Sequence, residues 1–435
     1  MDAGIDEAAA IEPGRTSALA ALSYRDFRLF WFGLVVSNCG TWMQMFGLGW
    51  LVVQLAERDG VPQLAPLYLG LAGLSRALPG LGFGLFGGVL ADRVDRRRLL
   101  IVTQTVACLI AFVLAGLTLG GHITIAEVML IGALNSVTFA FDSPTRQAML
   151  PRLVSERELM SAIGLNSAAY NGATLVGPLV GGLLIGPIGV GGIMLVNAIS
   201  YLAVVAALLV MAPHPPRLGQ RTMSALTSIR EGLGYVRHEP VLRWVIVLGA
   251  AGALFARPYI QLLPAVAHDT LHVGAVELSW LLAASGAGAL VGALATASLG
   301  GLRRRGIALV ASLILAGTGL GIFALQRTLW PALLLLGLTS FGVMVFLGMA
   351  TMLLQTRTPE RLRGRVMSVY VTIFQGIMPL GTMVLGSLGT LVGIDVALLT
   401  GGVLAGLIGI AALVRVGSLR EVGAARAVAE ATTAF

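Results

Sequence analysis

Hydrophobic positions along this chain come in long blocks, and polar positions come in short clusters between them. Twelve apolar stretches recur, near residues 28–55, 65–90, 99–120, 123–143, 160–185 and 190–211, then 241–266, 277–300, 306–325, 330–354, 366–392 and 395–415. A helix needs about 20 apolar residues to cross the hydrocarbon core of a bilayer. In lipid every backbone N–H and C=O must be satisfied within the segment, so each block predicts one membrane-spanning helix. Residues 212–240 form the only long connection. It opens Pro213-His214-Pro215-Pro216, which cannot be helical, and continues with Leu226, Ile229, Leu233 and Val236 at helical spacing, with Arg230, Glu231 and Arg237 between them. That pattern predicts an amphipathic helix lying on the membrane surface.

The expected organisation is an all-α membrane protein: a tail (1–24), a six-helix bundle (25–211), the linker (212–240), a second six-helix bundle (241–415) and a second tail (416–435). The halves echo one another. Phe27-Arg28-Leu29 matches Leu242-Arg243-Trp244, the basic turn 93–98 matches 303–305, Leu159-Met160-Ser161 matches Val366-Met367-Ser368, and Pro178 among glycines matches Pro379. Parallel halves related about the membrane normal make a transporter architecture with its site near the midplane between them.

Composition strengthens this picture. The chain is 57% hydrophobic and 11% charged, with mean hydropathy +0.88, where soluble chains carry about 25% charged residues. A net charge of +8 would otherwise suggest nucleic acid. Here all 29 basic residues are arginine, and twenty-five of them fall on one side of the predicted spans. Basic loops stay cytoplasmic, which predicts a multi-pass protein with both termini cytoplasmic and with lipid rather than nucleic acid as the partner; a bacterial inner membrane is the expected location. The acidic start (Asp2, Asp6, Glu7, Glu12) lacks the pattern of a cleaved signal peptide. Cys39 and Cys108 lie in separate apolar stretches and predict neither a disulfide nor a metal site, and no cofactor is expected. With no lysine the standard phosphate loop is impossible, which argues against a nucleotide-driven pump. None of the five histidines lies mid-span, which argues against a membrane enzyme.

Several motifs carry mechanism. Between spans 2 and 3 runs Gly88-Val89-Leu90-Ala91-Asp92-Arg93-Val94-Asp95-Arg96-Arg97-Arg98. It resembles the cytoplasmic signature of the major facilitator superfamily, with Asp95 in place of a glycine. Asp92 would face the N-terminus of span 11 near Arg365, where the helix dipole and the guanidinium both favour an anion. Gly88, Asp92, Arg93, Arg96, Arg97 and Arg365 are thus the expected latch between halves, the alternative being a topology anchor only. Span 5 carries Gly164, Ala173, Gly177, Pro178, Gly181 and Gly182, which resembles the antiporter signature of superfamily exporters, with Ala173 in place of a glycine. Gly-Pro bends a helix, and small residues permit close docking. The stretches 144–162 and 354–368, with Arg28-Leu29-Phe30-Trp31 and Trp42-Met43-Gln44, look like the exporter branch that contains the enterobactin exporter. The resemblance covers about residues 24–415 and implies the superfamily fold, alternating access and small-molecule efflux.

Two arginines fall deep inside spans, Arg76 and Arg257, each beside a proline. Ionisable residues at that depth are functional candidates. They suggest a cationic cavity for an anionic or oxygen-rich solute; the alternative is a structural pair or gate with an acid such as Glu57, Asp59, Glu127 or Asp395. Asn38, Trp42, Gln44, Asn135, Phe139, Tyr259, Gln261, Gln355 and Gln375 complete the candidate binding set. Glu127 and Asp142 are the candidate proton carriers, with Asp142 also fitting a structural partner of nearby arginines. Many proton-coupled drug exporters carry an arginine within span 4; none lies between Glu127 and Asp142, so proton coupling rests on the resemblance. The expected function is a monomeric secondary-active exporter of a siderophore- or antibiotic-class amphiphile in exchange for protons. The alternatives are an importer or lipid flippase of the same fold, and less readily a membrane enzyme.

Overall fold

The computed structural model describes residues 17–212, 225–299, 302 and 304–417, without the side chains of 85–93 and 225–228. Twelve spans run through the described residues. Span 1 is Arg25–Arg58, span 2 Ala65–Arg93, span 3 Arg96–Leu119 and span 4 Ile125–Leu153. The continuous segment Leu159–Val210 breaks at Gly189, whose φ of 67° is the left-handed conformation glycine adopts without strain. This separates span 5 (159–188) from span 6 (190–210). After the linker helix Ala225–His238 come span 7 (Pro240–Thr270), span 8 (Ala275–Ser298), span 9 (Arg305–Ala324), span 10 (Leu329–Arg357), span 11 (Glu360–Val392) and span 12 (Ile394–Arg415).

Local chemistry sets the span ends. Asp95 caps span 3 by accepting the Arg98 N–H at 2.8 Å. Thr124 and Glu127 form a reciprocal capping box that starts span 4. The Glu277 carboxylate accepts the Gly274 N–H at 3.0 Å and starts span 8. Pro240 opens span 7, where its missing N–H costs nothing. Span 4 continues through Pro144 and Pro151 to Leu153, well past the predicted end near 143.

The molecule has an arginine-rich end, where span 1 begins and span 12 ends, and an arginine-poor end opposite. Spans 1 to 6 pack together, as do spans 7 to 12, and the halves meet where span 2 lies on span 11 and span 5 on span 8. The apolar core is organised differently at the two ends. Toward the arginine-poor end a single cluster crosses the divide, joining Phe46, Leu114 and Ile193 to Leu262, Leu278 and Phe323. Toward the arginine-rich end each half has its own: Phe27, Phe30, Leu100 and Leu208 in one, Leu242, Leu313, Phe346 and Val366 in the other. The halves are therefore pressed together at the arginine-poor end and separately packed at the other.

Candidate binding cavity

A cavity of about 740 Å³ lies between the halves, walled by spans 1, 2, 4 and 5 on one side and by spans 7, 8 and 10 on the other. Its walls are mostly apolar, with Trp42, Arg76, Tyr170, Asn171, Arg257 and Gln261 supplying aromatic and polar groups. No aspartate or glutamate is among its described lining residues.

Each arginine is placed by a local irregularity. Arg76 sits three residues before Pro79 in span 2, and its aliphatic stem crosses the side-chain-free face of Gly132 in span 4. Arg257 sits where span 7 is underwound into a wider turn: its N–H donates to the Gly252 carbonyl five residues back, at 2.9 Å. The next residue, Pro258, has no N–H to continue the ladder. Wide turns of this kind inside membrane helices gather at functional positions. Gln261, one turn on, shares the Arg257 face. Among the described residues neither the Arg76 nor the Arg257 guanidinium has a hydrogen-bond or ion-pair partner. The four acids considered as partners are engaged elsewhere. Glu57 meets His268, Asp59 meets Arg58, Glu127 meets Thr124, and Asp395 meets Arg327.

Of the other candidates, Trp42 and Gln261 line the cavity; Asn38, Gln44, Asn135, Phe139, Tyr259, Gln355 and Gln375 do not. Gln44 is buried and accepts the Asn197 amide N–H at 2.6 Å. Tyr259 is fully buried, its hydroxyl joined to Ser340 at 2.6 Å and Ser285 at 3.1 Å. Asn38 and Asn135 are half-buried, while Phe139, Gln355 and Gln375 are exposed. Two residues the sequence left unmarked, Tyr170 and Asn171 of span 5, do line it, and Tyr170 stands edge-on to Trp42 with centroids 6.1 Å apart. Their signal was present as polar groups within an apolar span.

Both candidate proton carriers are held by neighbours. Glu127 Oε2 accepts the Thr124 N–H at 2.8 Å and its hydroxyl at 2.9 Å. Asp142 is buried, pairs with Arg146 one turn along span 4, and accepts from Thr103 at 3.1 Å and Gln104 at 2.6 Å. The extension of span 4 past its predicted end carries Arg146 and Arg152.

In the expected latch, Gly88, Asp92 and Arg93 lie outside the described residues apart from their helical backbone. Arg96 donates to the Ala148 carbonyl at 2.8 Å, and Arg97 to Leu208 at 2.6 Å and Leu209 at 3.0 Å. Arg97 thereby satisfies carbonyls at the C-terminal end of span 6, where a cation is favoured. Arg365 pairs with Glu231 of the linker helix. On span 5, Gly177 and Gly181 seat Trp42 and Phe46 of span 1, Gly182 meets Ser279 of span 8, Ala173 and Pro178 are buried, and Gly164 has open space.

Two halves around a central cavity, with irregular helix at its wall, are a secondary-transporter architecture, and the matching family model places the chain in the major facilitator superfamily. The transmembrane secretion effector family matches residues 16–433, and the chain belongs to it. It is similar to macrolide efflux protein A of Streptococcus pyogenes, 25% identical over 384 residues covering 87% of this chain and 93% of that one. It is also similar to the enterobactin exporter EntS of Shigella boydii, 27% identical over 333 residues covering 74% and 77%. In fold it resembles the crystal structure of a bacterial homologue of the human lysosomal transporter Spinster, in an inward-facing, occupied conformation. The TM-score is 0.70 at 14% identity, covering 91% of this chain and 98% of that one. The family and these relatives are transporters, not enzymes.

Proposed function

We propose that this protein exports a small amphiphilic molecule bearing anionic or oxygen-rich groups, of the siderophore or antibiotic class, by alternating access and in exchange for protons. The observation that carries this reading is the pair of unpartnered guanidiniums, Arg76 from one half and Arg257 from the other, on the wall of one cavity whose described lining has no acid. An arginine stays charged and presents five planar donors, which suits carboxylate, phosphate or catecholate oxygens. Trp42 and Tyr170 supply faces for an aromatic or apolar body. The efflux names of the relatives support the outward direction. In this reading the arginine-rich end is cytoplasmic, the host membrane is a bacterial inner membrane, the protein works as a monomer, and the halves are 25–211 and 241–415, joined by 212–240.

Purified protein in liposomes, given an imposed pH gradient and a panel of anionic, neutral and cationic amphiphiles, tests this. Uptake that prefers anions and responds to the gradient is expected. A preference for cations sinks the cationic cavity, and indifference to the gradient sinks proton exchange.

A further inference from the structure

Among the described residues, one side-chain hydrogen bond joins the two halves: His268 Nε2 to Glu57 Oε1, at 2.7 Å. Glu57 lies in the last turn of span 1 and His268 in the last turn of span 7, so the bond closes the arginine-poor end. The other ring nitrogen, Nδ1, lies 2.7 Å from Asp269 Oδ1, within the second half. Trp50 of span 1 stands edge-on to the imidazole, with centroids 6.3 Å apart. A single imidazole is thus held between two carboxylates, one from each half.

The surrounding charges are committed to other partners. Arg58 pairs with Asp59 and donates to the Ile123 carbonyl at 3.0 Å; Arg327 pairs with Asp395 at 2.6 Å. The His272 Nδ1 lies 3.1 Å from the His268 carbonyl rather than from its ring. The imidazole opens on a surface recess of about 620 Å³ on the arginine-poor face, shared with Asp269, His272, Arg327 and Asp395. The His268 side chain is 29% exposed and that of Glu57 48%, so water and its protons reach both.

A neutral imidazole has one N–H and one lone pair, whereas the imidazolium donates from both nitrogens. Between two carboxylates only the charged ring satisfies both; the neutral ring turns a lone pair toward one of them. Histidine is the side chain whose charge changes in the physiological pH range.

We propose that His268 is a proton-binding site that locks the arginine-poor gate. With a proton on both ring nitrogens it ties Glu57 of the first half to Asp269 of the second and holds this end shut. When one proton leaves, the tie loses its charge and one of its two hydrogen bonds, and the halves separate there more readily. The proton enters from the arginine-poor face, so an emptied carrier that is open on that side re-closes by taking one up. Glu127 and Asp142, by contrast, are fully engaged within one half and cannot tie the gate. The site requires no knowledge of the substrate, and its test is independent of the export reading.

Spin labels at Gln63→Cys and Val276→Cys, exposed positions on the arginine-poor ends of the two halves, report the gate as an electron-spin distance distribution. The measurement uses the full chain in lipid nanodiscs, without substrate and with Cys39 and Cys108 replaced by serine. The charge-assisted tie predicts a closed-to-open ratio roughly 10-fold higher at about pH 5 than at about pH 8.5. His268→Gln removes that response, and Glu57→Gln, which keeps an acceptor but loses the charge, blunts it. A distribution that ignores pH overturns the proposal, as does a pH response that survives intact in either variant.

Discussion

The two ends of this molecule are built from the same kinds of helices, yet they divide the work of packing differently. At the arginine-rich end each half completes its own core and its own polar network. Asp142, Arg146, Thr103 and Gln104 form one wholly within the first half, while the linker helix docks on span 11 through Arg365 and Glu231 in the second. At the arginine-poor end the halves share one apolar cluster, with Gly70 of span 2 against the backbone of Met383 in span 11. A half that is self-contained at one end can part from its partner there without exposing a torn core. At the other end the halves must pull apart a shared apolar cluster and one histidine tie, so opening there costs more. The contrast is what a rocking pair of bundles requires.

The largest effect is expected where a half is most self-contained. Asp142→Asn leaves the half-buried Arg146 guanidinium without its counter-ion, and breaking one partner of a buried pair costs up to about 3–5 kcal/mol. Denaturant or thermal unfolding in detergent should show a loss of that order, and a loss under about 1 kcal/mol would mean that water already reaches the pair. Asp395→Asn, which breaks the exposed pair with Arg327 at the other end, should cost no more than about 1 kcal/mol.

The next effect lies in the cavity between the ends. Arg257→Gln removes the charge and shortens the side chain, keeping only an amide with two of the five N–H donors. Hydrogen bonds to a charged group are worth about 1.5–3 kcal/mol, so transport of an anionic solute should fall roughly 10- to 100-fold, read as initial rate over half-saturating concentration. Melting should barely change, since the Arg257 guanidinium has no partner among the described residues. Arg76→Gln should behave alike. If Arg76→Gln lowers stability and leaves transport intact, that residue belongs to the scaffold instead.

The twelve spans were legible because apolar length is the dominant signal in a lipid solvent. The break between spans 5 and 6 was legible too, falling at Gly189 between the predicted blocks. The end of span 4 was not. A hydropathy reading stops at Asp142, whereas the helix runs on because Asp142 and Arg146, one turn apart, neutralise each other inside the bundle. The candidate site was legible in residue type and less so in direction. Arg257 and Gln261 are four apart and share a face; Tyr259, two residues on, turns away to bond Ser285 and Ser340. Gln44 departs from the Trp42 face in the same way and bonds Asn197. His268 escaped notice because it lies at a span's end, where polar residues are ordinary; only its position between Glu57 and Asp269 marks it.

The smallest effect compares two glycines of one helix. In span 2, a Cβ on Gly70 would come within 2.9 Å of the Met383 Cα and 3.0 Å of the Thr382 carbonyl, both backbone atoms of the opposite half that a rotamer change cannot move. A Cβ on Gly82, three turns nearer the arginine-rich end, would meet nothing within 4 Å. Gly70→Ala should therefore destabilise the closed arrangement by about 1–3 kcal/mol, the usual cost of overpacking. Gly82→Ala should be neutral or favourable by up to about 1 kcal/mol, the helix propensity gained. The readout is the labelled distance across the arginine-poor gate together with the melting temperature. Gly70→Ala should lengthen the first and lower the second, while Gly82→Ala should move neither downward. Equal responses from the two variants would mean that the seam between the halves is no tighter at one end than at the other, and the asymmetry drawn between them would fail.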